Sequence, residues 1–224
     1  MRILITSGAT REYIDAVRFL TNVSTGGTGA KIADALAARG HAVTLLRGEG
    51  AVLPQTLPAS DVRVFSSTEN LQAQLSQLLG TGTYDAVIQC AAVSDYRPAE
   101  LHDGKMTSSA PELTLRLVPT PKLLPALKTY APVARRPLVI GFKLTAGADS
   151  EARLLAVAKL FAAGTVDAVI HNDMDDLAAG AARPFRAYLS VQQPSVELAG
   201  LPTLTDWLHA FLSRTGLAPA SNIR

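Results

Sequence analysis

The chain has 224 residues, 48% of them apolar and 18% charged, with 21 basic and 19 acidic residues and a formal net charge of +2. That length suffices for a full hydrophobic core, and balanced charge without a basic run excludes a broad polyanion-binding surface of the nucleic-acid kind. No apolar stretch approaches the roughly 18 residues of a membrane span.

The elements follow in chain order. Arg2–Ser7 reads as a buried strand carrying Ile3, Leu4 and Ile5, with a turn at Gly8. Thr28–Arg39 reads as a helix with Ile32, Ala33, Leu36 and Ala37 on one face, and Gly40 suits its C′ position. Ala42–Leu46 is a second strand and Val62–Phe65 a short third one. Thr68 can cap a helix bearing Leu71, Leu75, Leu78 and Leu79 that stops at Gly80. Asp85–Gln89 is another apolar strand. This rhythm predicts an α/β fold, a Rossmann-like, doubly wound and mostly parallel sheet. In Glu112–Val118, Leu113, Leu115 and Leu117 alternate with Thr114 and Arg116. That spacing predicts a strand with one wet face, part of a small antiparallel flap or dimerisation element. A helix over Pro121–Tyr130, a strand over Pro137–Phe142, a helix over Asp149–Ala163 and a strand over Val166–His171 come next. A strand over Phe185–Val191 and a helix over Thr203–Arg214 close the series. The expectation is one nucleotide-binding domain over residues 1–214 and a frayed tail over 215–224. Lone Cys90 cannot form an internal disulfide, and the apolar start MRILITSG is too short for a signal peptide, so a cytoplasmic protein is expected.

The segment Arg18–Gly29, RFLTNVSTGGTG, carries the chemistry. Glycines at a helix start let backbone N–H groups approach an anion, and the helix dipole favours negative charge there. A dinucleotide fingerprint would place its glycines directly after the first strand. Here Gly26 comes 19 residues after Ser7, and the insertion holds Arg11, Glu12, Asp15, Arg18 and Asn22. A polar insertion of that length is more often functional than decorative, although a ligand-free glycine loop is the bland alternative. Gly8 forms a second wall of the same pocket. The run Cys90–Tyr96 also sits at a strand end, where open α/β sheets bind ligands. Its small Ala91 and Ala92 let a ligand lie against backbone, and Asp95 supplies a carboxylate or else a turn residue.

Several segments together resemble phosphopantothenoylcysteine synthetase (phosphopantothenate–cysteine ligase) of coenzyme A biosynthesis, in its stand-alone bacterial form. They are Ile5–Thr10 (ITSGAT), Val17–Gly26 (VRFLTNVSTG), Ala91–Tyr96 (AAVSDY), Thr120–Leu124 (TPKLL), Gly141–Leu144 (GFKL) and the pair Asn172-Asp173. The resemblance implies a two-step ligation. A nucleoside triphosphate, CTP or ATP, with Mg²⁺, activates the carboxylate of 4′-phosphopantothenate as an acyl-nucleotide and releases pyrophosphate. The amine of L-cysteine then displaces the nucleoside monophosphate. It assigns Asn22, Arg18 and Lys105 to catalysis, with Asn22 donating to the acyl oxygen and Arg18 reaching the substrate of a neighbouring subunit in a homodimer. Lys105 sits on a mobile flap. Arg18, Asn22, Ala91, Ala92 and Asp95 bind substrate. Gly8, Ser24, Gly26, Gly29, Asp95, Lys105, Phe142, Lys143 and Asn172 bind nucleotide. No protein metal ligand, flavin, NAD(P), nucleic acid or membrane is implied, and a separate phosphopantothenoylcysteine decarboxylase is a candidate partner.

Departures from the fused bacterial enzymes are informative. Those have a lysine-rich flap where this chain has Lys105-Met106-Thr107-Ser108, a loop lysine where it has Gly27, and Gly-Phe-Ala-Ala-Glu where it has Gly141–Thr145. Stand-alone bacterial and eukaryotic forms share the Phe-Lys-Leu version, and eukaryotic members favour ATP, so both nucleotides stay open. Lys143 is expected to restore part of the missing positive charge.

Two other readings compete. A short-chain-reductase-like NADP protein could use Arg47 for a 2′-phosphate. However, Tyr13, Tyr84, Tyr96, Tyr130 and Tyr188 all lack the lysine four residues on that such enzymes use. A non-catalytic nucleotide sensor would bind nucleotide without releasing pyrophosphate, and the presence of Asn22 and Lys105 argues against it. His41, His102, His171 and His209 show no metal-ligand spacing, and no P-loop or Gly-x-Ser-x-Gly elbow is present.

Overall fold

The computed structural model describes residues 1–107, 111–178 and 183–216. Eight strands form the central sheet, in the order β12-β11-β10-β9-β6-β1-β4-β5. Six of them run parallel: β1 (Arg2–Ser7), β4 (Ala42–Gly48), β5 (Val62–Phe65), β6 (Ala86–Gln89), β9 (Leu138–Thr145) and β10 (Ala168–Asp173). Antiparallel β11 (Phe185–Tyr188) and β12 (Val196–Leu198) complete one edge. The expected doubly wound, mostly parallel sheet is present.

Near-continuous apolar strands are buried on both faces, as a sheet covered by helices requires. Alternation along each strand sorts the side chains into two cores. Ile3, Ile5, Ile88, Ile140 and Ile170 pack under α1 (Gly27–Ala38) and α6 (Leu201–Gly216) through Ile32, Leu36, Leu204, Leu208 and Leu212. Leu4, Val87, Val139 and Val169 pack on the other face under α2 (Thr68–Gly80), α3 (Leu123–Tyr130) and α4 (Ser150–Ala162) through Leu71, Leu75, Leu127 and Val157. Ser67, and not the expected Thr68, caps α2 by accepting the N–H of Asn70, while the Thr68 hydroxyl goes to Glu12; α4 starts where Asp149 accepts the N–H of Ala152.

The chain leaves β1 toward β4 and β5, then returns to β6 on the other side of β1. The switch point therefore lies between the carboxyl ends of β1 and β6, where ligands bind in such sheets.

Three further expectations need correction. The alternating segment Glu112–Val118 is strand only at β8 (Leu117–Pro119), paired antiparallel with β7 (Tyr96–Pro98). Residues 112–116 are largely exposed and have no partner strand among the described residues, so their period of two buries nothing. The polar insertion before α1 contains an unforeseen hairpin, β2 (Arg11–Tyr13) against β3 (Phe19–Thr21). Finally, α6 continues through Gly216, with the Thr215 hydroxyl donating to the Phe211 carbonyl at 2.9 Å. The rest of the expected tail lies outside the described residues.

Candidate active site at the switch point

The glycine loop closes onto the end of β1. Gly8 and Gly26 both have positive φ, +80° and +76°. A Cβ on Gly26 would lie 3.0 Å from the Gly8 nitrogen and 2.9 Å from the Ala51 Cβ. A Cβ on Gly29 would lie 2.5 Å from that of Ser7. These two loop glycines let α1 sit directly on the end of β1. Gly26 is the N-cap of α1, so no side chain caps the helix, and its first turn holds no acidic residue. Gly27 makes only a 3.4 Å contact with the Thr25 hydroxyl, and Ser24 is half-buried beside it. The first-turn N–H groups of α1 are therefore available to an anion.

Across the crevice, Ala91 and Ala92 bind the end of β1 through backbone. The Ala91 N–H donates to the Thr6 hydroxyl at 3.1 Å, and the Ala92 N–H to the Gly8 carbonyl at 2.8 Å. Ala9 and Ala92 form an isolated parallel bridge beyond the sheet. Asn22 reaches across from the loop, its Nδ2 donating to the Val93 carbonyl at 3.3 Å. That carboxamide is exposed at the mouth of the crevice.

A buried polar network holds the two walls together. The Thr68 backbone N–H and hydroxyl both donate to Glu12 Oε1, at 3.0 and 2.6 Å. The same hydroxyl lies 3.2 Å from Thr10 Oγ1, which in turn accepts the Ser94 N–H at 3.0 Å. Glu12 is 4% exposed and Thr10 fully buried. Sequence reasoning noticed Glu12 only as part of a polar insertion, because nothing local indicates that β2 folds it inward onto the start of α2.

Asp15 organises the turn of the hairpin. Its carboxylate accepts the N–H groups of Val17 and Arg18 at 2.9 and 2.8 Å, and that of Met106 at 3.1 Å. The Val17 bond leads the effects that hold its carboxyl below the usual carboxylate range; burial opposes it. The Arg18 guanidinium lies 3.6 Å from Asp15 and donates to the Met106 carbonyl at 3.1 Å. Arg18 thus stands against the flap segment 101–107 of its own chain. Lys105 lies on that segment, exposed, next to Met106.

The remaining expected residues divide between the two faces of the sheet. Phe142 packs with the core under α1 and α6, and Asn172, two residues beyond Ile170, points to the same side. Lys143 points to the opposite face, into a cavity of about 680 Å³ beside Gln89, Asp95, Lys122 and Lys159. Phe142 also borders this cavity. Asp95 is ion-paired with Lys122, both exposed. Lys122 and Lys159 were missed by sequence reasoning. Lys122 sits in the noted TPKLL run, but only the fold turns the two lysines toward Lys143.

Arg47, the cation of the NADP reading, donates to its own loop, to the Ala51 carbonyl at 2.7 Å. Burial pushes the Cys90 thiol up to about 12, against the pull of Arg183, so the thiol stays protonated. No group of three or more His, Cys, Asp or Glu side chains among the described residues is placed to hold a metal ion. No described helix is long and apolar enough to cross a membrane.

A family profile described as the DNA/pantothenate metabolism flavoprotein C-terminal domain matches residues 1–197. The chain belongs to that family. Curated relatives include the coenzyme A biosynthesis bifunctional protein CoaBC of Thermococcus kodakarensis, 38% identical over 173 residues, which are 77% of this chain and 41% of that protein. The protein of the same name from Escherichia coli strain K12 is 36% identical over 149 residues, 63% of this chain and 34% of its own. The chain spans about two fifths or less of the length of these two relatives. Among solved structures, the DNA/pantothenate metabolism flavoprotein from Streptococcus pneumoniae superposes with a TM-score of 0.82 at 26% identity, covering 96% of this chain and 99% of that one. The C-terminal domain of a CoaBC protein gives 0.72 at 25%, covering 96% and 95%.

Proposed function

We propose that the protein is a ligase of coenzyme A biosynthesis that joins 4′-phosphopantothenate to L-cysteine through an acyl-nucleotide, using CTP or ATP. One observation carries the reading: a single loop brings the uncapped start of α1 onto Gly8 through Gly26 and sends the Asn22 carboxamide across to Val93. An anion cradle and a polarising amide share one crevice, and acyl-nucleotide chemistry needs that pair. Names among the relatives, coenzyme A biosynthesis bifunctional proteins, support it.

In the first step, a carboxylate oxygen of 4′-phosphopantothenate attacks the α-phosphorus. The new bond is C–O–P, and pyrophosphate leaves with the electron pair of the broken P–O bond. The α1 N–H groups hold phosphate charge, and Lys105 and Lys143 approach from the flap and from the far face. Mg²⁺ bound to the triphosphate would neutralise part of its charge. The described side chains form no cage of their own for it, and Asp95 is the carboxylate nearest in sequence to the crevice wall.

In the second step, the cysteine amine attacks the acyl carbon. Asn22 Nδ2 leaves the Val93 carbonyl and donates to the acyl oxygen as it gains charge. Collapse expels the nucleoside monophosphate, and the amine proton passes to solvent or to the leaving phosphate. The enzyme works as a homodimer in which Arg18 contacts the neighbouring subunit's substrate, and a separate decarboxylase takes the product.

The test measures pyrophosphate release with 4′-phosphopantothenate, Mg²⁺ and CTP or ATP, with and without cysteine. Pyrophosphate should appear without cysteine in about one equivalent, and turnover should need cysteine. For Asn22→Ala the burst should persist while amide formation falls about 100-fold or more, as for loss of one oxyanion donor. No pyrophosphate with either nucleotide would sink the ligase reading. A variant that loses only the burst would remove Asn22 from the second step.

A further inference from the structure

The face of the crevice under α1 carries two polar residues, Ser7 and Arg183, that nothing above uses. Register places Thr6 beside Gln89, Gln89 beside Gly141, and Phe142 beside Ile170. One residue further along β1 and β6, Ser7 stands beside Cys90, so Ser7, Cys90 and Phe142 form a row, with Asn172 one step beyond it on β10. All point toward α1 and α6, the side of Ile5, Ile88, Ile140 and Ile170. Ser7 is fully buried and its hydroxyl has no partner among the described residues; Asn172 is 4% exposed and its Nδ2 has none among them. At a strand spacing of about 4.8 Å, the row spans on the order of 15 Å, the length of an extended nucleotide.

Arg183 stands over this row. Its Nη1 lies 3.4 Å from the Thr28 hydroxyl, in the first turn of α1, and its guanidinium carbon 5.5 Å from the Phe185 ring centroid. Its Nε is buried without a partner among the described residues, and its charge reaches Cys90. Buried polar atoms in a native fold are nearly always paired. Here three atoms without partners among the described residues lie on the α1 side of the sheet, and the loop 22–29 contains no lysine or arginine.

The nucleotide site that the ligase reading puts on Phe142 and Asn172 runs along this row, and we propose that Arg183 clamps the nucleotide's phosphates there, with the Ser7 hydroxyl as a further polar contact. The assignment rests on the ligase reading above. A guanidinium fork suits the work: Nε and one Nη can take two oxygens of one phosphate while the other Nη stays on Thr28. The uncapped N–H groups of α1 supply only partial charge, so Arg183 provides the full positive charge on this side. Lys143 and Lys159 lie beyond the sheet, in the other cavity.

The experiment compares Arg183→Met and Arg183→Lys with the parent, using CTP, ATP and inorganic tripolyphosphate as a competitive inhibitor. Arg183→Met should raise the nucleotide KM and the tripolyphosphate Ki by the same factor, about tenfold or more, with the cysteine KM unchanged. Arg183→Lys should recover part of the loss. A nucleotide KM and tripolyphosphate Ki within about twofold of the parent, at unchanged Tm, would overturn the proposal. So would a raised nucleotide KM with an unmoved tripolyphosphate Ki, because Arg183 would then read the base. Arginine modification by phenylglyoxal, mapped by mass spectrometry on the unaltered protein, needs no variant to fold. Tripolyphosphate should protect Arg183, and absence of protection counts against the clamp. That mapping also separates the two claims: a protein that protects Arg183 but releases no pyrophosphate keeps the clamp and loses the ligase reading.

Discussion

Oδ2 of Asp15 accepts the backbone N–H of Met106 at 3.1 Å, across 91 residues of sequence. That bond ties the turn of the β2–β3 hairpin to the segment carrying Lys105. The His102 N–H adds a bond to the Ile14 carbonyl at 3.0 Å, and the Ala16 N–H one to Gly104 at 3.0 Å. Hairpin and flap are therefore joined at several points, and the same carboxylate holds Arg18 and Met106, the neighbour of Lys105.

Asp15→Asn keeps the shape and removes the charge. Its amide group cannot accept three N–H bonds, and its NH₂ would face the Met106 donor. We expect Tm to fall by several degrees at neutral pH and pyrophosphate release to slow about tenfold, through loss of flap order rather than of chemistry. The pH dependence has a definite sign. The folded-state pKa is lowered, so the stabilisation is fully present above the ordinary carboxylate value and lost as pH falls through the folded value. Melting curves taken from neutral to strongly acidic pH should show a shallower acid limb for the variant. Parallel curves for parent and variant would remove Asp15 from this role.

The glycines offer a second test, in which two substitutions differ in cause. Gly29 sits in α1 with no unusual φ, but its Cβ would meet the Ser7 Cβ at 2.5 Å. Gly40 has a φ of +84° and open space around it. Gly29→Ala should push α1 off the end of β1, cost about 1–3 kcal/mol as overpacking does, and raise the nucleotide KM. Gly40→Ala should cost about 1–2 kcal/mol from backbone strain alone and leave the nucleotide KM unchanged. Chemical denaturation read beside steady-state kinetics checks both. Equal kinetic effects from the two variants would mean that the α1–β1 seat does not shape the nucleotide site.

Where periodicity was backed by burial, the sequence was legible. The β1–β6 rhythm, both flanking cores and the limits of α2 follow from apolar spacing, because both faces of this sheet are covered and each error of register would expose isoleucines or leucines. The pairing of the loop glycines with Gly8 is legible too, since their distance from β1 conflicts with a simple fingerprint and requires the loop to fold back. Residues 112–116 misled because alternation identifies a strand only if one face is then buried. The hairpin at 11–21 was hidden for the opposite reason: strands of three residues carry no periodicity, and what holds them is the non-local bonding of Glu12 to Thr68 and Asp15 to Met106. Arg183, Lys122 and Lys159 are ordinary surface-type cations in sequence, and only topology brings them to the carboxyl edge of the sheet.

Lys143 tests the division of the site between two faces. It shares its cavity with Lys122 and Lys159, on the side away from α1. Lys143→Glu should raise the nucleotide KM about tenfold and the cysteine KM much less, because a carboxylate there would repel a polyanion across a partly screened distance. The increase should shrink at high ionic strength. An unchanged nucleotide KM would assign this cavity to something other than phosphate charge.

The last prediction concerns His171, fully buried next to Asn172. The Thr145 hydroxyl donates to Asp173 and lies 2.8 Å from His171 Nε2. Burial raises the Asp173 carboxyl, but bonds from Thr145 and from the N–H groups of Asp175, Ala148 and Gly147 outweigh it and hold the group well below the usual range. Asp173 is therefore an acceptor, the threonine proton is committed to it, and His171 Nε2 must donate. The imidazole is the neutral Nε2–H tautomer, with Nδ1 bare and without a partner among the described residues. Burial, reinforced by Arg153 and Arg186, pushes its pKa down to about 4. An unfolded histidine takes its proton near pH 6.5. The unfolded chain thus binds this proton first, so His171 costs no stability above about pH 6.5 and progressively destabilises the fold as pH falls toward 4. His171→Leu removes the titration and an orphaned nitrogen, at the loss of one bond to Thr145. Between pH 6.5 and 4 the variant's Tm should decline less steeply than the parent's, and the two curves should converge or cross on the acid side. Identical slopes would show that His171 takes up its proton over the same pH range folded and unfolded, and the lowering of its pKa by burial would then be wrong.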